Sequence, residues 1–200
     1  MRVVGVRRLL VLVGLPGSGK TAFRLRHPEW AVVSRDDIRR TIFHRDFDLD
    51  YEDTVERIFA ATLVEAVDSP APVVCVDNTN LTRVERRALI EVACLSGREP
   101  VAHVMPLLPL DVLYARKLRQ LEALTRESGD LVVGGFPRER YEETYRRYED
   151  VREDEGFVRV VREAEFSFPK PTLPHAPRPR RPRRELVPAP SELAPLPLFV

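Results

Sequence analysis

The sequence predicts a three-layer α/β fold with a mostly parallel central sheet. Three observations carry that expectation. Short runs of branched apolar residues alternate with segments of helical period, the pattern of parallel strands joined by crossover helices. The first such run leads directly into a glycine-rich segment and then a helix. From Pro169 onward ten of the last thirty-two residues are proline, a composition that forms neither helix nor sheet ladder.

Leu9–Val13 is continuously apolar, as a central strand covered on both faces requires. The helix after the glycine segment starts near Lys20 and ends before Pro28. Trp30–Ser34 reads as the second strand. Asp36–Phe43 reads as a short helix with acids at its start, where the helix dipole favours them. Across Tyr51–Val67, the residues Val55, Ile58, Phe59, Leu63 and Val67 recur with helical period, and Pro70 and Pro72 stop it. Val73–Val76 is a buried strand closing on Asp77. Thr82–Ser96 is helical and ends at Gly97, a suitable C-cap. Pro100–Met105 supplies a strand and Leu110–Glu127 a long charged helix. Arg138–Glu155, opened by Pro137, is the last helix, and Phe157–Val161 the last strand.

At 200 residues and 44% apolar content, the chain suits one folded domain over 1–165, followed by an extended, disordered tail over 166–200. Net charge is +1 but uneven: the tail holds six Lys/Arg against two acids, which leaves 26 against 29 in the rest. A core of that balance has no general attraction for polyanions, so any such site is a local cluster. Cys75 and Cys94 have no ligand pair at metal spacing and read as two buried, reduced thiols of a cytoplasmic protein. The first apolar run is too short to span a membrane, and no membrane association is expected. His27, His44, His103 and His175 have no partner at metal spacing. Nothing in the pattern speaks to oligomeric state.

Gly14-Leu15-Pro16-Gly17-Ser18-Gly19-Lys20-Thr21 matches the phosphate-binding P-loop pattern in full, between a strand and a helix as that motif requires. Glycines let successive N–H groups face phosphate oxygens, beside the positive end of the following helix. Lys20 is expected to reach the β and γ phosphates of ATP, and Thr21 to ligand Mg²⁺. Asp77, at the carboxyl end of its strand, is the expected second magnesium anchor, directly or through water. It equally suits a turn residue capping Asn78 and Thr79. The fold expected is therefore that of the P-loop nucleoside triphosphatases.

The segment Ser34-Arg35-Asp36-Asp37-Ile38-Arg39 follows the second strand, at the edge of the crevice where ligands of such sheets bind. A hydroxyl nucleophile needs a carboxylate to orient it and take its proton. Asp36 and Arg39 are three apart on a helix and share a face, so one can address an acceptor hydroxyl and the other a nearby phosphate. The same residues also read as an N-terminal acid pair with an arginine as salt-bridge partner.

The set GLPGSGKT, SRDDIR, VDNTNLTRVERR and YRRYE resembles the kinase domain of polynucleotide 5′-hydroxyl kinases and the wider family of P-loop kinases, from Leu9 to about Tyr148. The resemblance implies Asp36 as general base on a 5′-hydroxyl of DNA or RNA. It implies Arg39, Asn80 and Arg83 as acceptor contacts, with nucleic-acid 5′-hydroxyl ends as partners. It also implies lid arginines over the ATP phosphates within about 116–136. Arg116 matches the first; Gln120 stands where the second belongs, and Arg126 and Arg119 are the substitutes. Arg83, Arg86 and Arg87 otherwise read as a solvated helix face. The basic run Arg178–Arg184 suits either a loose nucleic-acid contact or a solvated tail, and Leu193–Val200 a docking peptide for a protein partner. Two other functions stay open: a kinase acting on a small-molecule, nucleotide-sugar or transfer-RNA hydroxyl, and a nucleotide-binding regulatory module with little transfer activity.

Overall fold

The computed structural model describes residues 6–127 and 136–164. The expected tail and the middle of the expected lid lie outside the described residues. Five strands, β1 (Arg8–Val13), β2 (Ala31–Val33), β3 (Val73–Val76), β4 (Glu99–Val104) and β5 (Arg159–Arg162), form one sheet in the order β2-β3-β1-β4-β5. Every neighbouring pair is parallel. The helices are α1 (Lys20–Arg24), α2 (Arg35–Phe43), α3 (Glu52–Asp68), α4 (Arg83–Leu95), α5 (Leu110–Glu127) and α6 (Arg138–Arg146).

Strand β1 explains why the sheet has two covered faces. Its side chains alternate, so Leu9, Val11 and Val13 enter one core with Phe59 and Leu63 of α3 and Leu89, Ile90 and Ala93 of α4. Leu10 and Leu12 enter a second with Phe23 of α1, Cys75, Val101 and Met105. A third cluster, of Leu15, Leu81, Leu108, Leu113 and Tyr141, ties α5 and α6 to the glycine segment. The chain runs from β1 out to β2, returns to β3 and then crosses to β4. Strand order thus reverses around β1, and the crevice this opens at the carboxyl ends of the strands is where such sheets hold ligands.

Two of the sequence expectations need correction. The last helix stops at Arg146 instead of reaching Glu155; only a short 3₁₀ turn, Glu153–Glu155, follows. The cause is tertiary. Arg86 donates to the carbonyls of Glu149 (3.0 Å) and Asp150 (3.5 Å), and the Glu149 N–H donates to Leu81 O, so these groups cannot continue a helix ladder. Helix α1, five residues long, starts at Lys20 and ends before Pro28 as expected. Cys75 is buried as expected, but Cys94 is exposed on α4.

Candidate active site

The glycine segment wraps the amino end of α1. Gly17 has φ +82°, a backbone conformation that costs an L side chain energy. It also has no room: a Cβ there would stand 2.5 Å from Leu113 O and 3.2 Å from the Lys117 N–H nitrogen of α5. At Gly14 a Cβ would meet Ser18 Oγ at 2.7 Å and Met105 Cβ at 2.9 Å. Tyr141 of α6 completes the frame, its hydroxyl donating to Pro16 O at 2.7 Å. The loop is therefore fixed from below by α1 and from the side by α5 and α6.

Within it, Lys20 Nζ donates to Gly14 O (2.6 Å) and Leu15 O (3.0 Å). Burial pushes its pKa down to about 8, against the opposing pull of Asp77 and Asp36, and Lys117 lowers it further. Thr21 Oγ1 donates to Asp77 Oδ2 at 3.2 Å. Burial raises the Asp77 carboxyl, with Lys20 and Arg24 pulling the other way.

A hydroxyl and a carboxylate side by side at the foot of the loop form a hard-oxygen donor set. Magnesium takes such a pair while filling its remaining positions with water and phosphate oxygens. Ser18 Oγ is buried with no hydrogen-bond partner among the described residues, a spare polar group facing the loop. These residues fit a magnesium–triphosphate group.

Arg24 is a residue the sequence did not single out. Its terminal nitrogens grip Asp37 at 2.5 and 2.8 Å, and its Nε lies 2.8 Å from Asp77. It thereby ties the first turn of α2 to the end of β3. Asn78 reinforces the tie by accepting from the Arg35 N–H at 3.1 Å. Ser34 caps α2, accepting from the Asp37 N–H, so Asp37 is spent on Arg24 and the cap while Asp36 faces the crevice. The charge of Asp36 acts on both Lys20 and Asp77, so the three lie within electrostatic reach of one another.

Arg39 joins Asp36 at 2.6 Å and holds Glu52 of α3 through Nε (2.8 Å) and a second terminal nitrogen (2.6 Å). The two groups share a face and form the salt bridge that the second sequence reading expected. The connection from α2 to α3 reaches further. Asp46 is buried, 2.9 Å from Arg40 and 3.8 Å from Lys117 of α5. Phe47 lies under the guanidinium of Arg140 in α6, 3.9 Å from it.

On α5, Arg116 stands against the loop, its Cβ 3.3 Å from where a Gly17 Cβ would be. Arg126, ten residues on, lies about 15 Å further along the helix axis; it is exposed and donates to Glu122 O of its own helix. Arg119 likewise donates back to Ala115 O. Lys117, by contrast, is buried, and neither its charge nor its place was anticipated. The signal was present: in a helix packed by Leu113, Lys117 and Leu121, position 117 shares the inward face.

The residues after β3 expected as acceptor contacts are engaged within the protein. Asn80 is buried at φ +48° and its amide donates to Leu12 O at 2.7 Å, bracing the end of β1. The backbone N–H of Arg83 donates to Glu149, and its side chain approaches Asp154 at 3.7 Å. Arg86 is not solvated: it is fully buried and paired through two nitrogens with Glu155, both at 2.7 Å. Arg87 is on the surface beside Glu91.

This frame of loop, lysine, hydroxyl and strand-end carboxylate has known relatives. The AAA domain family (AAA_33) matches residues 9–128. The chain belongs to that family. A putative kinase from Chloroflexus aurantiacus J-10-fl aligns at 14% identity and a TM-score of 0.56, over 80% of this chain and 85% of that one, which shows that this AAA-family chain has the P-loop kinase fold. A chain of a Pnkp1/Rnl/Hen1 complex aligns at 26% identity and a TM-score of 0.48, over 56% of this chain and 39% of that one. This protein therefore spans well under half the length of that relative. Chaetomium thermophilum Kti12, in complex with ADP-AlF3, aligns at 18% identity and a TM-score of 0.47, over 78% of this chain and 89% of that one. No curated protein matches the chain. Among the described residues no helix is long and apolar enough to cross a membrane.

Proposed function

We propose that this AAA-family P-loop kinase transfers the γ-phosphoryl group of ATP to a 5′-hydroxyl end of DNA or RNA, with Asp36 as general base. One observation supports this most directly. Asp36, in the first turn of α2, is within electrostatic reach of Lys20 and Asp77, and Arg39 holds it in place at 2.6 Å. A carboxylate in that position orients a hydroxyl oxygen toward the terminal phosphorus. Three of the five Arg39 donors are taken by carboxylates, which leaves two for a phosphate beside the acceptor hydroxyl.

In the transfer, the acceptor oxygen forms a bond to the γ phosphorus while the bond from that phosphorus to the β,γ-bridging oxygen breaks. The electron pair leaves on ADP, and the hydroxyl proton passes to Asp36. Backbone N–H groups of Gly17, Gly19 and Lys20 hold the phosphates, and Lys20 moves from Gly14 O and Leu15 O to the β and γ oxygens. Thr21 and Asp77 would hold magnesium, which would neutralise charge on the phosphate oxygens when bound. Arg116, set against Gly17, serves as the lid arginine.

A second acceptor class has one observation in its favour. The α2–α3 connection reaches α5 and α6 through Asp46 and Phe47, which narrows the approach to Asp36 and suits a small hydroxyl substrate. The deciding experiment uses γ-labelled ATP, Mg²⁺ and 5′-hydroxyl oligonucleotides, with Asp36→Asn and Lys20→Ala alongside. Label on the oligonucleotide, lost in both variants, supports the polynucleotide reading. ATP turnover that never labels an oligonucleotide sinks it and leaves the small-molecule acceptor. Tight ATP binding without turnover points to a regulatory module.

A further inference from the structure

The resemblance leaves a gap on α5, since Gln120 stands where a second lid arginine belongs. Three facts converge on a different residue. The Lys117 backbone abuts the crest of the phosphate loop, its nitrogen 3.2 Å from where a Gly17 Cβ would be. The side chain turns inward and is nine-tenths buried, 9% exposed. Among the described residues the carboxylate beside its ammonium is that of Asp46, whose Oδ2 is 3.8 Å away, beyond hydrogen-bond range, and the Phe136 ring centroid is 5.8 Å away.

An ammonium this far from its carboxylate keeps room for a second anion at hydrogen-bond distance. Asp46 does not depend on Lys117 in return, because Arg40 already holds it at 2.9 Å. The cation on offer is also close enough to Lys20 to lower that residue's pKa. Two lysines repelling each other beside a phosphate cradle are stabilised together by one polyphosphate.

We propose that Lys117 contacts the terminal phosphate of the bound triphosphate, filling the role left open at Gln120, and that Asp46 holds it in the nucleotide-free protein. On ATP binding the ammonium leaves Asp46 for a γ-phosphate oxygen. Asp46 keeps Arg40, and through Arg40, which lies 3.9 Å from Asp36, the exchange is adjacent to the general base. The inference rests on the P-loop kinase reading but not on the identity of the acceptor.

The test is a pair of affinities, for β,γ-imido-ATP and for ADP, both with Mg²⁺, measured by calorimetry on the full chain. Lys117→Met is expected to weaken the triphosphate analogue about tenfold or more and ADP less than threefold. Lys117→Arg is expected to restore most of the difference. Asp46→Asn, which keeps the shape but removes the competing charge, is expected to tighten the analogue. Equal weakening of both nucleotides by Lys117→Met overturns the proposal. So does a melting temperature lowered alike by Lys117→Met and Asp46→Asn with the affinity ratio unchanged, since the pair is then only structural. A wild-type protein that binds neither nucleotide overturns both this and the kinase reading. One that binds the analogue but never labels an oligonucleotide overturns the polynucleotide acceptor alone, and the affinity ratio still decides Lys117.

Discussion

The donor and acceptor halves of the crevice are built from different materials. The donor half is mostly backbone: the loop Gly14–Thr21 is pinned by Tyr141, by the close approach of α5 to Gly17 and by the end of β1. Its few side chains, Lys20, Thr21 and Asp77, are short-range and at least partly buried. The acceptor half is a mesh of long side chains, in which Asp36, Arg39, Glu52, Arg40, Asp46 and Lys117 hold one another through ion pairs. A backbone cradle accepts one chemical group and is hard to retune. A mesh of paired charges can be rearranged by single substitutions, so it is the half in which relatives are free to differ in acceptor.

Substitutions in the two halves sharpen that contrast, and the largest effect belongs to the donor side. Lys20→Ala lowers kcat by about 10³-fold or more with any acceptor, because it removes a preorganised cation from the transferring group. Single-turnover labelling checks this. Asp36→Asn lowers kcat by about 10²–10³-fold, the usual scale for a general base, and leaves ADP affinity within about threefold. Equal losses of ADP affinity in both variants would break the division between the halves.

Gly17→Ala places a methyl 2.5 Å from Leu113 O at a positive φ, so it is expected to push α5 off the loop. The cost is about 1–3 kcal/mol of stability, read as a lower melting temperature, together with weaker ATP binding. An alanine at the exposed position Arg119 changes neither by much.

The smallest effect is in pH. The Lys20 pKa is held near 8 in the folded, nucleotide-free protein, below its ordinary 10.5. Keeping it charged therefore costs stability at every pH below about 8, and that cost fades as pH rises from 8 towards 10.5. Phosphates favour the ammonium and raise its pKa again. ATP binding is thus expected to take up a proton near pH 8–9, and affinity falls up to tenfold per unit above pH 8. Calorimetry in buffers of different ionisation enthalpy measures that proton, and Lys20→Met abolishes it.

The sequence revealed the two halves unequally, for the same physical reason. The loop, β1, β3 and Asp77 were legible because their roles depend on local spacing: a strand, a glycine turn, a helix. Asp36 and Arg39 were legible as a helical pair, but Glu52, thirteen residues on, was not, because nothing local ties it to them. Arg24 and Lys117 were missed since each acts across the fold, on Asp37 and Asp77 or on Asp46. Asn80 and Arg86 misled in the opposite direction. Their polar character suggested ligands or a wet surface, whereas both satisfy buried carbonyls at the ends of β1 and β3. The length of α6 was overestimated for the same reason, since Arg86 draws Glu149 and Asp150 out of helical geometry.

That buried arginine also sets how much chain the kinase needs. The family match ends at residue 128 and already contains the loop, Asp36 and Asp77. A protein trimmed to that limit would keep the loop, Asp36 and Asp77 and still lack Glu155, the counter-charge of Arg86. Stranding a buried guanidinium costs about 3–5 kcal/mol, a large part of the stability of a domain this size. The smallest unit that folds is therefore longer than the smallest unit that carries the chemistry, and its far boundary is set by a charge pair on the opposite side of the sheet from the phosphates' helix.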